Sequence, residues 1–235
     1  MDNLLTRSHP IKRLLPSPLK RAARKALLSY KFGRAVQQVA QLQLGEPPPR
    51  EMLSALRVGW DNLGWDSKLD YLEEITRRAA TTLGPILECG SGLTTILLGL
   101  LAGRRGIETW SLEHDPRWHR RVAGAIAKHH VPKVNVCLAP LRDYDGFNWY
   151  DPPLTKMPDR FSLVVCDGPP DLDNSGRYGL LPVLGERLAP GAVILFDDAR
   201  EQGQDEVLRR WAAEGGLRVE LRETPEVSFA VVTCP

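Results

Sequence analysis

Glu88 stands two residues ahead of Gly90 in the stretch ILECGSGLTT, residues 86–95, and a second apolar run, Ile96–Ala102, follows at once. A glycine turn between an apolar strand and a helix is a common seat for a nucleotide-like cofactor, because backbone amides at the helix start face the ligand. The acid decides which kind. A dinucleotide turn of the form GxGxxG needs a third glycine, and Thr95 occupies that position here. A carboxylate at Glu88 would also repel a pyrophosphate, whereas it would attract a cation. S-adenosylmethionine (SAM) fits: it has no phosphate and carries an α-ammonium and a sulfonium. This reading gives Glu88 to the ammonium, directly or through water, and gives Gly90, Ser91 and Gly92 the close backbone approach. The plainer alternative is a glycine turn beside a surface acid.

Glu113 is the second marker. It ends the run ETWSL and falls 23 residues after Gly90, where nucleoside-binding folds place a carboxylate on the ribose hydroxyls. Asp115-Pro116 reads as the N-cap and first residue of the next helix. His114 either borders the adenine pocket or is a surface histidine. Asp167, in CDGPPD, and Asp197 and Asp198, in FDDA, each follow an apolar run. Three carboxylates meeting at one sheet edge repel one another unless a cation, a proton or a bound ammonium compensates.

The elements that would position these acids form a regular alternation after residue 84. Strand patterns cover Pro85–Glu88, Glu108–Leu112, Val134–Leu138, Phe161–Cys166, Ala192–Phe196, Leu217–Arg222 and Ser228–Thr233. Helical patterns fit Thr95–Leu101, Arg117–His129, Gly179–Leu188 and Asp205–Glu214. Such alternation predicts an α/β fold with a parallel sheet covered on both faces. The last two strands are joined by a short turn at Pro225-Glu226, which requires an antiparallel hairpin. Upstream, SKLD at 67–70 suggests a capping box between Ser67 and Asp70 opening another helix.

The chain of 235 residues, 43% hydrophobic and 26% charged, suits one α/β domain, residues 51–235, with an appendage, residues 1–50. Its longest apolar run is too short to span a bilayer, and Pro16 and Pro18 interrupt the N-terminal leucines, so no secretory signal is read. Cys89, Cys137, Cys166 and Cys234 show no metal-ligand spacing and read as reduced core thiols in a cytoplasmic protein. Net charge is +2, but residues 1–50 carry ten Lys and Arg against Asp2 and Glu46. A helix running from Ser17 to about Leu44 would present Lys20, Arg21, Arg24, Lys25, Lys31 and Arg34 with Leu19, Ala23, Leu27 and Tyr30 interleaved, and Gly45 and the prolines at 47–49 would end it in a stiff link. It either lies on an anionic membrane, at the inner membrane face, or on an acidic partner, or it packs its apolar side on the body. Nucleic acid is a poor fit, since the basic excess is confined to one end.

The motifs LECGSGLTT, SLEHDP, VVCDGPPD and VILFDDA, in this order, resemble those of class I SAM-dependent methyltransferases, most of all the small bacterial O-methyltransferase-like branch. The resemblance covers about residues 60 to 234. It implies a Rossmann-like seven-stranded sheet of order 3-2-1-4-5-7-6, with Glu88, Gly90 and Gly92 on the methionine side and Glu113 on the ribose. Two departures stand out: Thr94 replaces a frequent third glycine of that family's motif, and LAPLRD lacks its usual acid followed by a small residue. Metal-dependent catechol-type members carry an acid after the fourth strand and an acid–amide pair after the fifth, where Asp198 stands in place of the amide. That match implies Asp167, Asp197 and Asp198 as ligands of a cation such as Mg²⁺, which would lower the pKa of a substrate hydroxyl. A metal-free reading makes Asp167 a neighbour of the methionine end, Asp198 the general base and Asp197 a cap; a structural reading gives all three to turns.

Methyl transfer itself needs alignment and dryness more than proton chemistry. The acid cluster therefore points to a hydroxyl on a small or medium-sized acceptor, whose proton must be removed. Arg177 and Tyr178, in the polar stretch 169–182, stand where a substrate could pass; Arg177 would bind an acidic group on it, or pair with Asp171 or Asp173. Phe147, Trp149 and Tyr150 read more as local core than as a substrate platform, and Trp60 and Trp65 either cover the site or simply pack. Two other functions stay open: an NAD-linked oxidoreductase, disfavoured by Glu88, and a non-catalytic SAM-binding module docking on membrane or RNA through its basic arm.

Overall fold

The alternating side chains of the strands divide between two layers, and this builds two cores from one sheet. In the computed structural model, which describes residues 17–61, 67–170 and 177–235, strands β1 (Ile86–Cys89), β2 (Thr109–Glu113) and β3 (Val134–Leu138) lie parallel on one side. A small antiparallel hairpin, β4 (Leu141–Asp143) with β5 (Asn148–Tyr150), stands apart. Strands β6 (Phe161–Cys166) and β7 (Leu188–Phe196) extend the parallel sheet, and β8 (Arg218–Glu223) and β9 (Ser228–Thr233) close it as an antiparallel hairpin. The order is β3-β2-β1-β6-β7-β9-β8. With the separate hairpin set aside, this is the expected 3-2-1-4-5-7-6.

Ile86, Leu163, Val165, Leu195 and Val231 face one core, against α1 (Ser17–Ala40), α2 (Arg50–Trp60), α3 (Leu69–Thr81), α4 (Leu93–Leu101) and α5 (Pro116–His129). Leu87, Val164, Cys166, Ile194, Phe196, Ala230 and Val232 face the other, against α6 (Leu180–Leu184), α7 (Gln204–Gly215) and the β4–β5 hairpin. Trp149 and Tyr150 are fully buried there, as the core reading expects.

Two local expectations are corrected, and one helix, α2, lies where none was expected. The proline stretch leads straight into α2, whose Leu53, Leu56 and Trp60 fall on one helical face and are buried. No capping box forms at Ser67: α3 starts after Lys68, because Asp70 is held by Arg50 at 2.6 Å and the Ser67 hydroxyl is spent on Asp167 at 3.3 Å. The basic helix also buries a different face from the one expected. Phe32, Ala35, Val36 and Val39 enter the core, whereas Leu19, Leu27 and Tyr30 are 53%, 53% and 63% exposed. Among the described residues no helix is long and apolar enough to cross a membrane.

Candidate active site

The site sits at the carboxyl ends of β1, β2, β6 and β7, the edge where open parallel sheets bind ligands. Gly90 follows β1 with φ +90°, and a Cβ there would stand 3.3 Å from the Asp167 backbone. Glycine is therefore required twice over, for the turn and for the strand-end contact. A Cβ on Gly92 would meet nothing within 4 Å, so the loop is open on its outer side.

Glu88 lies beneath this loop and is fully buried. Its Oε2 accepts bonds from the Ser111 hydroxyl at 2.5 Å and the Thr95 hydroxyl at 2.6 Å. Thr95 in turn accepts the Gly92 N–H at 2.8 Å. The threonine that breaks the dinucleotide pattern is thus what ties the loop to its acid. Burial pushes the Glu88 carboxyl up to about 7, against the hydroxyls of Ser111, Thr94 and Thr95, and the Asp167 charge adds to the rise. Its Oε1 has no partner. The expectation of an acid facing the ligand is corrected: Glu88 braces the loop from below and keeps one unpaired acceptor under it.

Glu113 ends β2, also buried. Its Oε2 takes the Ser91 hydroxyl at 2.7 Å and the Ser91 N–H at 3.2 Å; its Oε1 takes the Asp115 N–H at 2.8 Å and lies 3.3 Å from His114 Nδ1. Burial resists ionisation, but the bonds from His114, Ser91 and Asp115 outweigh it and hold Glu113 below the usual carboxylate range. The same contact raises His114. Asp115 caps α5 as expected, accepting from Arg117 N–H and Trp118 N–H. Beside Glu113 opens a cavity of about 600 Å³ lined by His114, Asp115, Pro116, Arg117 and Arg120. Trp118, which sequence reasoning passed over, donates its indole N–H to the Ser91 carbonyl at 2.5 Å. It fixes the loop from the α5 side.

The three aspartates do meet: one carboxylate oxygen from each of Asp167, Asp197 and Asp198 lies within 4.8 Å of the others. Asp197 is buried, and its Oδ1 accepts the Asp198 N–H at 3.0 Å, which makes it the turn residue. Asp198 has φ +52°, a left-handed conformation that a non-glycine residue adopts at a cost. Burial lifts Asp167 to about 6, opposed by Arg177 and aided by Asp198. Burial, with Asp167 and Asp198, holds Asp197 well above the usual carboxylate range.

Arg177 completes the cluster. Its Nη2 lies 3.3 Å from Asp167 Oδ1 and 3.2 Å from Asp198 Oδ2, its Nη1 donates to the Asp197 carbonyl, and the guanidinium stands 5.3 Å from the centre of the Phe196 ring. Only 7% of its side chain reaches solvent. Burial alone would weaken its hold on the proton; Asp167 and the neighbouring groups more than reverse that. Arg177 is therefore turned inward, which corrects the expectation that it meets an acidic substrate group; Asp171 and Asp173 lie outside the described residues. The three carboxylates have the spacing of a metal site, and Arg177 already places a permanent cation on two of them. Tyr178 is corrected too. Its hydroxyl donates to Glu214 at 2.9 Å and its ring lies 3.7 Å from the Arg210 guanidinium, away from the cluster. Trp60 packs on Trp118 rather than over the aspartates, and Trp65 lies outside the described residues.

A SAM-like cation does fit. The loop is open above Gly92, and Glu113 keeps an ionised carboxylate beside a cavity. Tyr150, core as read from the sequence, has a buried hydroxyl with no hydrogen-bond partner, which would collide with a Cβ on Gly168. The hydroxyl of Tyr71 donates to the Leu195 carbonyl at 2.9 Å under the β7 end.

No protein-family model and no curated protein sequence matches the chain. Solved structures do. One is a precorrin-6y C5,15-methyltransferase from Geobacter metallireducens, with TM-score 0.56 and 12% identity over 74% of this chain and 92% of that one. Another is an O-methyltransferase from Bacillus cereus in complex with SAH, with TM-score 0.55 and 15% identity over 88% of this chain and all of that one. At such identities the likeness is one of architecture, and by architecture the chain has the Rossmann-like methyltransferase fold.

Proposed function

We propose that the protein is a SAM-dependent O-methyltransferase that works without a metal ion on a small or medium-sized hydroxylic acceptor. One observation carries the reading: a glycine loop is surrounded by carboxylates at the ends of four adjacent strands, an arrangement that welcomes a cationic nucleoside and repels a diphosphate. The fold shared with a SAH-bound O-methyltransferase supports it. It disfavours the oxidoreductase alternative for the same electrostatic reason.

Bound SAM would supply an electrophilic methyl on a sulfonium, with a neutral thioether as leaving group. Glu113 would hold the ribose hydroxyls in competition with Ser91, and His114 would border the adenine. Glu88 keeps the loop in shape, and Asp167 would balance the α-ammonium. Asp198, with 35% of its side chain reachable, is the most accessible carboxylate of the cluster. It takes the acceptor's proton as the carbon–oxygen bond forms. Arg177 holds Asp198 and Asp167 in place and supplies the positive charge that a metal would otherwise bring.

Calorimetric titration with SAM and with NADH tests the cofactor. Labelled SAM with a panel of hydroxyl, amine and carboxyl acceptors, with and without EDTA, tests the chemistry. NADH binding with no response to SAM refutes the cofactor reading, and turnover abolished by EDTA refutes the metal-free one.

A further inference from the structure

We infer that the outer face of α1 is a docking surface for an anionic phospholipid bilayer. Leu19, Ala22, Ala23, Ala26, Leu27 and Tyr30 recur at three- and four-residue steps, so they form one stripe about 17 Å long. All six are exposed. The opposite face carries the residues that anchor the helix, with Leu28 half-buried and Phe32, Ala35, Val36 and Val39 in the core. The stripe is thus turned away from the body by the helix's own periodicity. Residues 18–27 are exposed on every side of the helix, and the apolar anchoring contacts lie from Leu28 onward.

Charge names the occupant. The helix has no acidic residue in the sequence SPLKRAARKALLSYKFGRAVQQVA and six basic ones. Exposed Lys20, Lys31 and Arg34 run along one flank of the stripe. Arg24 is tied to Asp61 at 3.0 Å and Lys128 donates to Ser29 at 2.9 Å, which fixes the helix on α2 and α5. An apolar stripe flanked by cations matches the interface of an anionic bilayer, where acyl chains take the stripe and headgroups take the lysines. A second copy docked stripe to stripe would bring two wholly basic helices together and is opposed by their charge. A nucleic acid would use the cations but leave the leucines in water.

The inference stands apart from the proposed chemistry, since lipid binding needs no turnover.

The test is co-sedimentation of the full chain with phosphatidylcholine vesicles, with and without about one third phosphatidylglycerol, at low and high salt. Binding is expected on the anionic vesicles, at least about tenfold tighter than on the neutral ones, and weakened by salt. The exposed pair Leu19→Ser with Leu27→Ser should weaken it about tenfold, and Lys20→Glu with Lys31→Glu should do the same. Thermal melts of both variants should match the parent, since neither pair touches the core. Equal binding to the two vesicle types, or unchanged binding by either variant, overturns the inference. So does a salt-resistant dimer that the leucine variant dissociates, or salt-sensitive RNA binding in the absence of vesicle binding.

Discussion

Replacing Glu88 with Gln should make the folded protein less sensitive to alkali, and the size of the effect follows from where the carboxyl sits. Burial lifts it from an ordinary value of 4.5 to about 7. In the folded chain it therefore holds its proton over a range in which the unfolded chain has released it. A group raised in this way stabilises fully below the unfolded value, and that contribution is lost as pH rises through the folded one. Each tenfold change in proton affinity is worth about 1.4 kcal/mol, so wild-type stability should fall by about 3 kcal/mol relative to Glu88→Gln between pH 4.5 and 8. Gln keeps an acceptor for Ser111 and Thr95 but leaves an amide where Oε1 has no partner, which adds a roughly constant penalty of about 1–3 kcal/mol. The two stabilities should therefore converge or cross as pH rises. Urea denaturation of both proteins at half-unit steps gives the difference directly. A gap that stays flat from pH 5 to 8 would refute the claim that Glu88 is a buried acid holding its proton.

Glu113→Ala removes the proposed ribose acceptor and frees Ser91; SAM affinity by calorimetry should drop at least about tenfold, and unchanged affinity removes Glu113 from the site. Asp198→Asn keeps a side chain that tolerates the left-handed backbone. Turnover should fall by about a hundredfold or more with SAM affinity preserved, and retained turnover excludes Asp198 as the base. Arg177→Met strands Asp167 and Asp198 without their cation. It should cost about 3–5 kcal/mol in denaturant melts and make the variant's melting temperature respond to Mg²⁺, while the parent's does not. A parent stabilised by Mg²⁺ would show that Arg177 does not stand in for the ion.

The sheet was legible because its signal is local. Each strand alternates or runs apolar within its own few residues, and the short turn at Pro225-Glu226 sets the direction of the last pair. The acids at the strand ends followed once the order of strands was assumed. What stayed hidden is decided by distant partners. Ser67 and Asp70 have the spacing of a capping box, yet Asp167 and Arg50 claim them from across the fold. Arg177 has acids four and six residues before it in sequence, but its described bonds reach to the ends of β6 and β7. Helix α2 was readable in principle, from Leu53, Leu56 and Trp60 after Pro49; the triple proline drew attention to a linker and away from the helix it starts. For α1 the apolar residues that catch the eye are the exposed ones, because periodicity shows that a face exists but not what covers it.

Arg121 lies between two indoles, 4.6 Å from the ring centres of both Trp60 and Trp118, and Trp118 grips the carbonyl of Ser91. One indole belongs to the N-terminal layer and the other to the loop's own support, with their rings 6.0 Å apart. A ligand that nudges Ser91 would shift this edge-to-face pair and the cation beside it. The folded chain thus carries a luminescent gauge of its own cradle, readable in ultraviolet emission with no dye attached.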